Sequence, residues 1–160
     1  MRIGYGYDVH RFKRGRKCML CGVEIPAEFG PDGHSDADVP IHALCDALLG
    51  ASTLGDIGTH FPDTDGKWKD AAGIDLLIRT YSLVREKGYS LGNADITIIT
   101  EQPKISPYIN QMRTVLANAL DTDIDNINVK ATTEEKMGFT GDGTGIAASA
   151  AVLLIVNNNQ

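Results

Sequence analysis

The side chains that could do chemistry gather in two short segments, Gly-Tyr-Asp-Val-His at residues 6 to 10 and His-Ser-Asp-Ala-Asp-Val-Pro-Ile-His at residues 34 to 42. An extended strand turns alternate side chains to opposite faces, so Asp8 and His10 point the same way and can grip one ion. His42 opens an apolar-periodic stretch of Ile41, Leu44, Cys45, Leu48 and Leu49, which reads as a helix. Such a helix would hold one imidazole fixed opposite the strand pair. One carboxylate and two imidazoles suit zinc in an open catalytic site, with a position left for a substrate oxygen. The competing reading makes each of the three an ordinary strand or helix-cap residue, because D-x-H pairs are common. Asp46, one helical turn after His42, either accepts the other imidazole N–H or is a solvated helix carboxylate.

Other polar clusters lie in Gly- and Asp-rich loops. Asp36 and Asp38 read as turn and N-cap residues, whereas His34 and Ser35, beside a metal, offer an imidazole and a hydroxyl to phosphate oxygens. Thr132 and Thr133 at a strand end can bind phosphate, and a neighbouring carboxylate suits a hard ion such as magnesium. A capping box opening a helical turn explains the same pattern. Phe139, with Gly141, Gly143 and Gly145, looks like a hairpin or clamp loop. Asp56-Ile57-Gly58 and Phe61-Pro62-Asp63-Thr64-Asp65 carry enough oxygens for a sugar or polyol, or form a surface turn. Lys104, between Thr100 and Ser106 at a strand end before a helix, either neutralises phosphate or is solvated.

The elements that must position these residues follow from hydrophobic periodicity. Strands are expected over 3–12, 17–25, 89–100, 128–132 and 145–156, the first two as an initial hairpin across residues 13 to 16. Helices are expected over 39–54, capped by Asp38 with Pro40 in its first turn, over 74–87, ending before Gly88, and over 107–120. The fold class is therefore α+β, a mixed sheet with helices packed on one face. The last strand, from Ile146 to Val156, is apolar on both faces, so its second face must also be covered, and another copy of the same sheet is the simplest cover.

At 160 residues and 42% hydrophobic, the chain is expected to form one domain with its own core. A net charge of -6 and a pI near 5.1 argue against a broad nucleic-acid surface. No apolar run is long enough to span a bilayer, and three cysteines without a disulfide pattern fit a reducing compartment, so a cytoplasmic protein is expected. Cys18 and Cys21 form a lone C-x-x-C whose thiols, on a strand, would face opposite ways. A zinc ribbon is not expected.

Taken in order along the chain, the motifs at 3–10, 34–50, 54–58, 61–65 and 129–141 resemble the 2-C-methyl-D-erythritol 2,4-cyclodiphosphate synthase family of non-mevalonate isoprenoid biosynthesis. The resemblance implies a homotrimer whose sheets face the threefold axis, with active sites at subunit junctions and built from two chains. It implies Zn2+ on Asp8, His10 and His42, and Mg2+ or Mn2+ on Glu135 and the substrate diphosphate. His34 and Thr133 match residues of transition-state stabilisation, with Ser35 and Thr132 near phosphate. Asp56, Ile57, Gly58, Phe61, Asp63 and Asp65 match positions that meet the erythritol, and Thr100, Lys104, Ser106 and Phe139 the cytidine side. The implied substrate is a cytidine diphosphate compound, cyclised with release of CMP.

The chain departs from the family pattern in two places: at Asp142, where several members carry an arginine, and at Ala72-Gly73, in place of an Asp-Ser pair at a helix start, which would loosen that N-terminus. Two rival readings remain at this point. A mononuclear iron oxygenase uses the same ligand set, although such sites sit in jelly rolls without these helices, and a non-catalytic trimeric scaffold would use the Asp and His residues as caps and turns.

Overall fold

The computed structural model describes residues 1–62, 64–68 and 70–157. Its elements in chain order are β1 (Arg2–Arg14), β2 (Cys18–Leu20), β3 (Val23–Ile25), β4 (Phe29–Pro31), α1 (Val39–Ala51), α2 (Ile57–His60), α3 (Gly73–Glu86), β5 (Tyr89–Ile99), α4 (Ile109–Ala119), β6 (Ile127–Thr132), α5 (Gly138–Gly141) and β7 (Gly145–Val156). Five strands make one mixed sheet in the order β4-β1-β7-β5-β6. β7 runs antiparallel to both β1 and β5, while β5 and β6 are parallel, joined by a crossover that contains α4. The α+β class with helices on one face is as the periodicity predicts. Buried strand residues such as Ala148, Ala150, Ile96, Ile98 and Val129 all lie on the face that α1, α3 and α4 cover.

The initial hairpin is a correction. β1 does not pair with the segment that follows it; its antiparallel partners are β7 over residues 2 to 11 and β4 over 12 to 14. The 17–25 stretch is itself a tight hairpin, with Leu20 opposite Val23 and both turn residues, Cys21 and Gly22, at positive φ (52° and 74°). Two left-handed residues in a row match the right-handed twist of the flanking strands, and this geometry selects the two-residue turn. Cys18 and Cys21 both point into the core, because Cys21 sits in the turn and not on the strand. β4 packs against the 16–17 segment because Gly30 has no side chain: a Cβ there would lie 2.0 Å from the Lys17 carbonyl oxygen.

Two more glycines set the distance on which the site depends. A Cβ on Gly4 would lie 1.8 Å from the carbonyl oxygen of Ala47, and one on Gly6 1.9 Å from that of Ala43. β1 and α1 are thus in backbone contact, closer than any side chain would permit. The buried face of α1, with Ile41, Leu44, Leu48 and Leu49 fully enclosed, is pressed onto the sheet by α3 on its other side. The N-terminus of α3 is not loose, although Ala72 offers no cap: Asp36 Oδ2 accepts from the Gly73 N–H at 2.8 Å. Among the described residues no helix is long and apolar enough to cross a membrane.

Candidate metal centre

Asp8 and His10 project from the helix-facing side of β1, and His42 from the first turn and a half of α1, so the β1–α1 contact brings them together. Asp8 Oδ2 lies 3.2 Å from His10 Nε2 and 3.1 Å from His42 Nδ1, and the imidazole centroids are 5.7 Å apart. One ligand atom from each residue falls within 4.8 Å of the others. α1 is held in register by Asp38, which is fully buried. Its carboxylate accepts from the N–H groups of Ile41 (3.2 Å), Cys21 (2.8 Å) and Gly22 (2.7 Å), tying the helix start to the β2–β3 turn. Burial, reinforced by the neighbouring charge of Asp36, pushes the Asp38 carboxyl up to about 6 against the pull of these donors.

Each imidazole has a second partner. His10 Nδ1 lies 2.7 Å from the Asp32 carbonyl oxygen; a carbonyl can only accept, so Nδ1 carries a proton, and Nε2 donates to Asp8 while the ring is protonated and presents its lone pair there once the ring is neutral. His42 Nε2 lies 3.2 Å from Ser35 Oγ, which also accepts from the Ala37 N–H at 3.1 Å. Asp46 does not take part, contrary to one reading of its spacing. Its Oδ1 accepts from the Ile57 N–H at 2.7 Å and anchors the start of α2 to α1. Burial alone would raise the Asp8 carboxyl, but hydrogen bonds and charge from His10 and His42 outweigh it and hold Asp8 at about 2. The Asp8 hydrogen bond in turn raises His10. One carboxylate oxygen and two imidazole nitrogens, oriented by second partners and half-open to solvent, form a donor set that fits a divalent metal.

The triad forms one wall of a cleft of about 400 Å³, shared with His34, Ser35, Ile57, Gly58 and Phe61. Trp68, the chain's only tryptophan, also lines it and packs edge-on against Phe61 with centroids 4.9 Å apart. A lone tryptophan in a polar loop was the available signal for it, and spacing assigned it no role. Asp56 caps α2 through the Thr59 N–H and Asp65 holds the Lys67 N–H; Asp63 lies outside the described residues.

The remaining candidates lie elsewhere on the chain. Thr132 on β6 is aligned with Ile99, Ala147 and Val9 across the sheet, three strand spacings or roughly 14 Å from β1. Thr100, next to it, donates through Oγ1 to the Gln102 carbonyl at 2.6 Å, and Lys104 and Ser106 are exposed beyond. Thr133 and Glu135 are exposed, and no capping box forms: Glu135 and Lys136 turn through positive φ (53° and 65°), while Glu134 accepts from the Thr140 hydroxyl. Phe139 sits on the short helix α5, not in a hairpin, and lines a second pocket with Val9, His10 and Arg11. Asp142 is used locally, accepting from the Thr144 N–H at 2.9 Å.

Comparison with known proteins agrees with this architecture. The family model described as the YgbB family matches residues 1–155. A 2-C-methyl-D-erythritol 2,4-cyclodiphosphate synthase of Clostridioides difficile (strain 630) is 55% identical over 160 residues, covering 100% of this chain and 99% of the relative. Among solved structures, a bifunctional IspDF from Campylobacter jejuni superposes with a TM-score of 0.94 at 45% identity, over 97% of this chain and 42% of that one. A 2C-methyl-D-erythritol-2,4-cyclodiphosphate synthase in a CDP-bound form superposes with a TM-score of 0.89 at 38% identity, over 96% of this chain and 100% of the other. Matched by the family model over residues 1–155 and 55% identical to a synthase over its whole span, the chain belongs to the YgbB family, that of the 2-C-methyl-D-erythritol 2,4-cyclodiphosphate synthases.

Proposed function

We propose that the chain, as one synthase domain over residues 1–160, converts 4-diphosphocytidyl-2-C-methyl-D-erythritol 2-phosphate to 2-C-methyl-D-erythritol 2,4-cyclodiphosphate and CMP, a phosphorus–oxygen lyase of cytoplasmic isoprenoid biosynthesis. The convergence of Asp8, His10 and His42 at a cleft that also presents His34 and Ser35 carries this reading, in a chain matched end to end by relatives of that name. The CDP-bound relative supports a cytidine diphosphate as the ligand class.

An oxygen of the 2-phosphate attacks the β-phosphorus of the same molecule, forming one P–O bond, while the bond from that phosphorus to the bridging oxygen breaks and its electron pair leaves with CMP. The attacking phosphate is already ionised near neutral pH, so no general base is needed, and catalysis reduces to folding the substrate into line and stabilising charge. Zinc on Asp8, His10 and His42, and magnesium or manganese on Glu135, would neutralise and polarise the crowded phosphate oxygens. His34 and Thr133 stabilise charge developing on the transferred phosphoryl group, and the Ser35 and Thr132 hydroxyls hold phosphate oxygens in place. Asp56, Ile57, Gly58, Phe61, Asp63 and Asp65 meet the erythritol; Thr100, Lys104, Ser106 and Phe139 meet the cytidine. The separation of the Thr132 to Glu135 group from the triad within one chain favours a site completed by a neighbouring copy, and we assign a homotrimer on that basis.

The test is direct. Incubated with this substrate and magnesium, the purified protein is expected to yield CMP and a cyclic product by phosphorus NMR. His42→Ala should abolish both turnover and zinc content and leave the fold intact. Full turnover by metal-free His42→Ala would overturn the assignment, and oxygen consumption by an iron-loaded wild type would favour the oxygenase instead.

A further inference from the structure

Both imidazoles of the triad take their second hydrogen bond from one short segment, residues 31–35. The Asp32 carbonyl oxygen accepts from His10 Nδ1 at 2.7 Å, and Ser35 Oγ lies 3.2 Å from His42 Nε2. The segment continues β4 along the edge of β1, with the Asp32 N–H bonded to the Arg11 carbonyl at 2.8 Å. It then bends through residues 33–36, and its carbonyls divide between two sets of partners. Those of Asp32 and His34 go to His10 and to the Asp70 N–H. Those of Pro31, Gly33 and Ser35 converge on a single side chain: Arg16 Nε is 3.4 Å from the Pro31 oxygen, and Nη2 is 3.1 Å from the Gly33 oxygen and 3.0 Å from the Ser35 oxygen.

We propose that Arg16 is a positioning residue for the metal centre, gripping three carbonyls of the 31–35 strap so that the strap's remaining polar groups set the tautomer of His10 and the tilt of both His10 and His42. The inference rests on the reading of the triad as a metal site and adds to it a residue remote from the substrate. Two physical features favour it. A guanidinium presents five N–H donors in a fixed plane and no acceptor, and is charged at any working pH, so it can serve several carbonyls at once. The strap also touches the imidazole directly: a Cβ on Gly33 would lie 2.9 Å from His10 Cε1 and 3.1 Å from His10 Nδ1. Any sideways drift of the strap therefore reaches the ring. Arg16 has one further charged neighbour in reach, Asp32 Oδ1 at 3.9 Å, and that contact belongs to the same strap.

Loss of partners that orient metal ligands typically lowers metal affinity by about 10–100-fold. Arg16→Ala is expected to weaken zinc binding, measured by chelator competition, by about tenfold or more within that range. It should also change the long-range nitrogen–proton NMR pattern of His10 from a single Nδ1–H tautomer to a mixture, read on metal-free protein at a pH above the raised His10 value, where the ring is neutral. Arg16→Lys should recover only a minor part, since a lone ammonium cannot serve three carbonyls in line. Should Arg16→Ala fail to fold, Arg16→Gln, which keeps an amide N–H for one carbonyl, carries the same two measurements with a smaller expected loss. Wild-type zinc affinity and an unchanged His10 tautomer in a folded Arg16 variant would overturn the proposal, as would full rescue by lysine. A wild type that binds no zinc would instead sink the metal reading, leaving the tautomer comparison to decide the role of Arg16.

Discussion

Asp8 and His10 stabilise each other in the metal-free chain, and their shifts give the site a pH signature. Asp8, held at about 2 against an ordinary 3.8, contributes stability that is present above about 4 and lost as pH falls toward 2. His10 is raised above an ordinary 6.5, so its contribution is present below that value and lost as pH rises through the raised one. Asp38, raised to about 6, acts in the same direction as His10, since the buried carboxyl favours its proton. Metal-free protein is therefore expected to become less stable to urea as pH rises through 6 and past neutrality. Zinc reverses the slope, because protons leave the ligands as metal binds and stop competing at higher pH. Urea midpoints measured with and without zinc at a series of pH values should diverge upward; parallel curves would mean that the metal does not occupy the Asp8–His10–His42 site. At this scale the sequence was informative about the ligands and poor about their supports. Period two pairs Asp8 with His10, and helix periodicity places His42. The partners of the imidazoles are a backbone carbonyl and a hydroxyl on a strap, which no spacing rule reveals, and Asp46 was drawn away by the Ile57 N–H.

Two ligands ride on β1 and one on α1, so whatever separates these elements opens the site. Gly6→Ala tests this, since the added Cβ meets the Ala43 carbonyl oxygen at 1.9 Å and backbone cannot rotate out of the way. Overpacking of this kind costs about 1–3 kcal/mol or more, and here it should also weaken zinc binding, because the helix must lift away from Asp8 and His10. Gly88→Ala is the matched control. Gly88 has φ of +85° with no atom near the added carbon, so the substitution should cost about 1 kcal/mol through left-handed strain alone and leave zinc affinity unchanged. Equal zinc affinity in both variants would show that the β1–α1 distance does not control the centre. Helices and the long strands were readable because each carries several turns or alternations of pattern, and α1 has the N-cap Asp38 besides. The β2–β3 hairpin was not, since strands of three residues are too short to display a period, and α2 and α5, of four residues each, are short for the same reason.

The sheet face opposite the helices is left uncovered in the single chain. Ile3, Tyr5, Tyr7 and Val9 stand in a row on that face of β1, exposed by 79%, 66%, 50% and 43% in the single chain, beside Ala151, Leu153 and Ile155 of β7. Toward β6 the same face turns polar, where Asp95 accepts from Asn128 and Lys130. A large apolar stripe rimmed by polar residues marks a contact surface, and the doubly apolar last strand already called for a cover. Sedimentation should give about three times the 17.2 kDa chain mass. Tyr5→Glu would bury three carboxylates near the axis and should release single chains that still bind zinc, whose ligands belong to one chain, yet have lost turnover. A stronger test of a junction site mixes two inactive variants, His42→Ala and Glu135→Ala, through a cycle of dissociation and reassembly. If His42 of one copy works with Glu135 of the next, some junctions in the mixed assemblies regain both residues, and activity returns. Mixed assemblies that stay inactive would put both residues of each site on the same chain, and the roughly 14 Å across the sheet would then have to be closed within a single subunit.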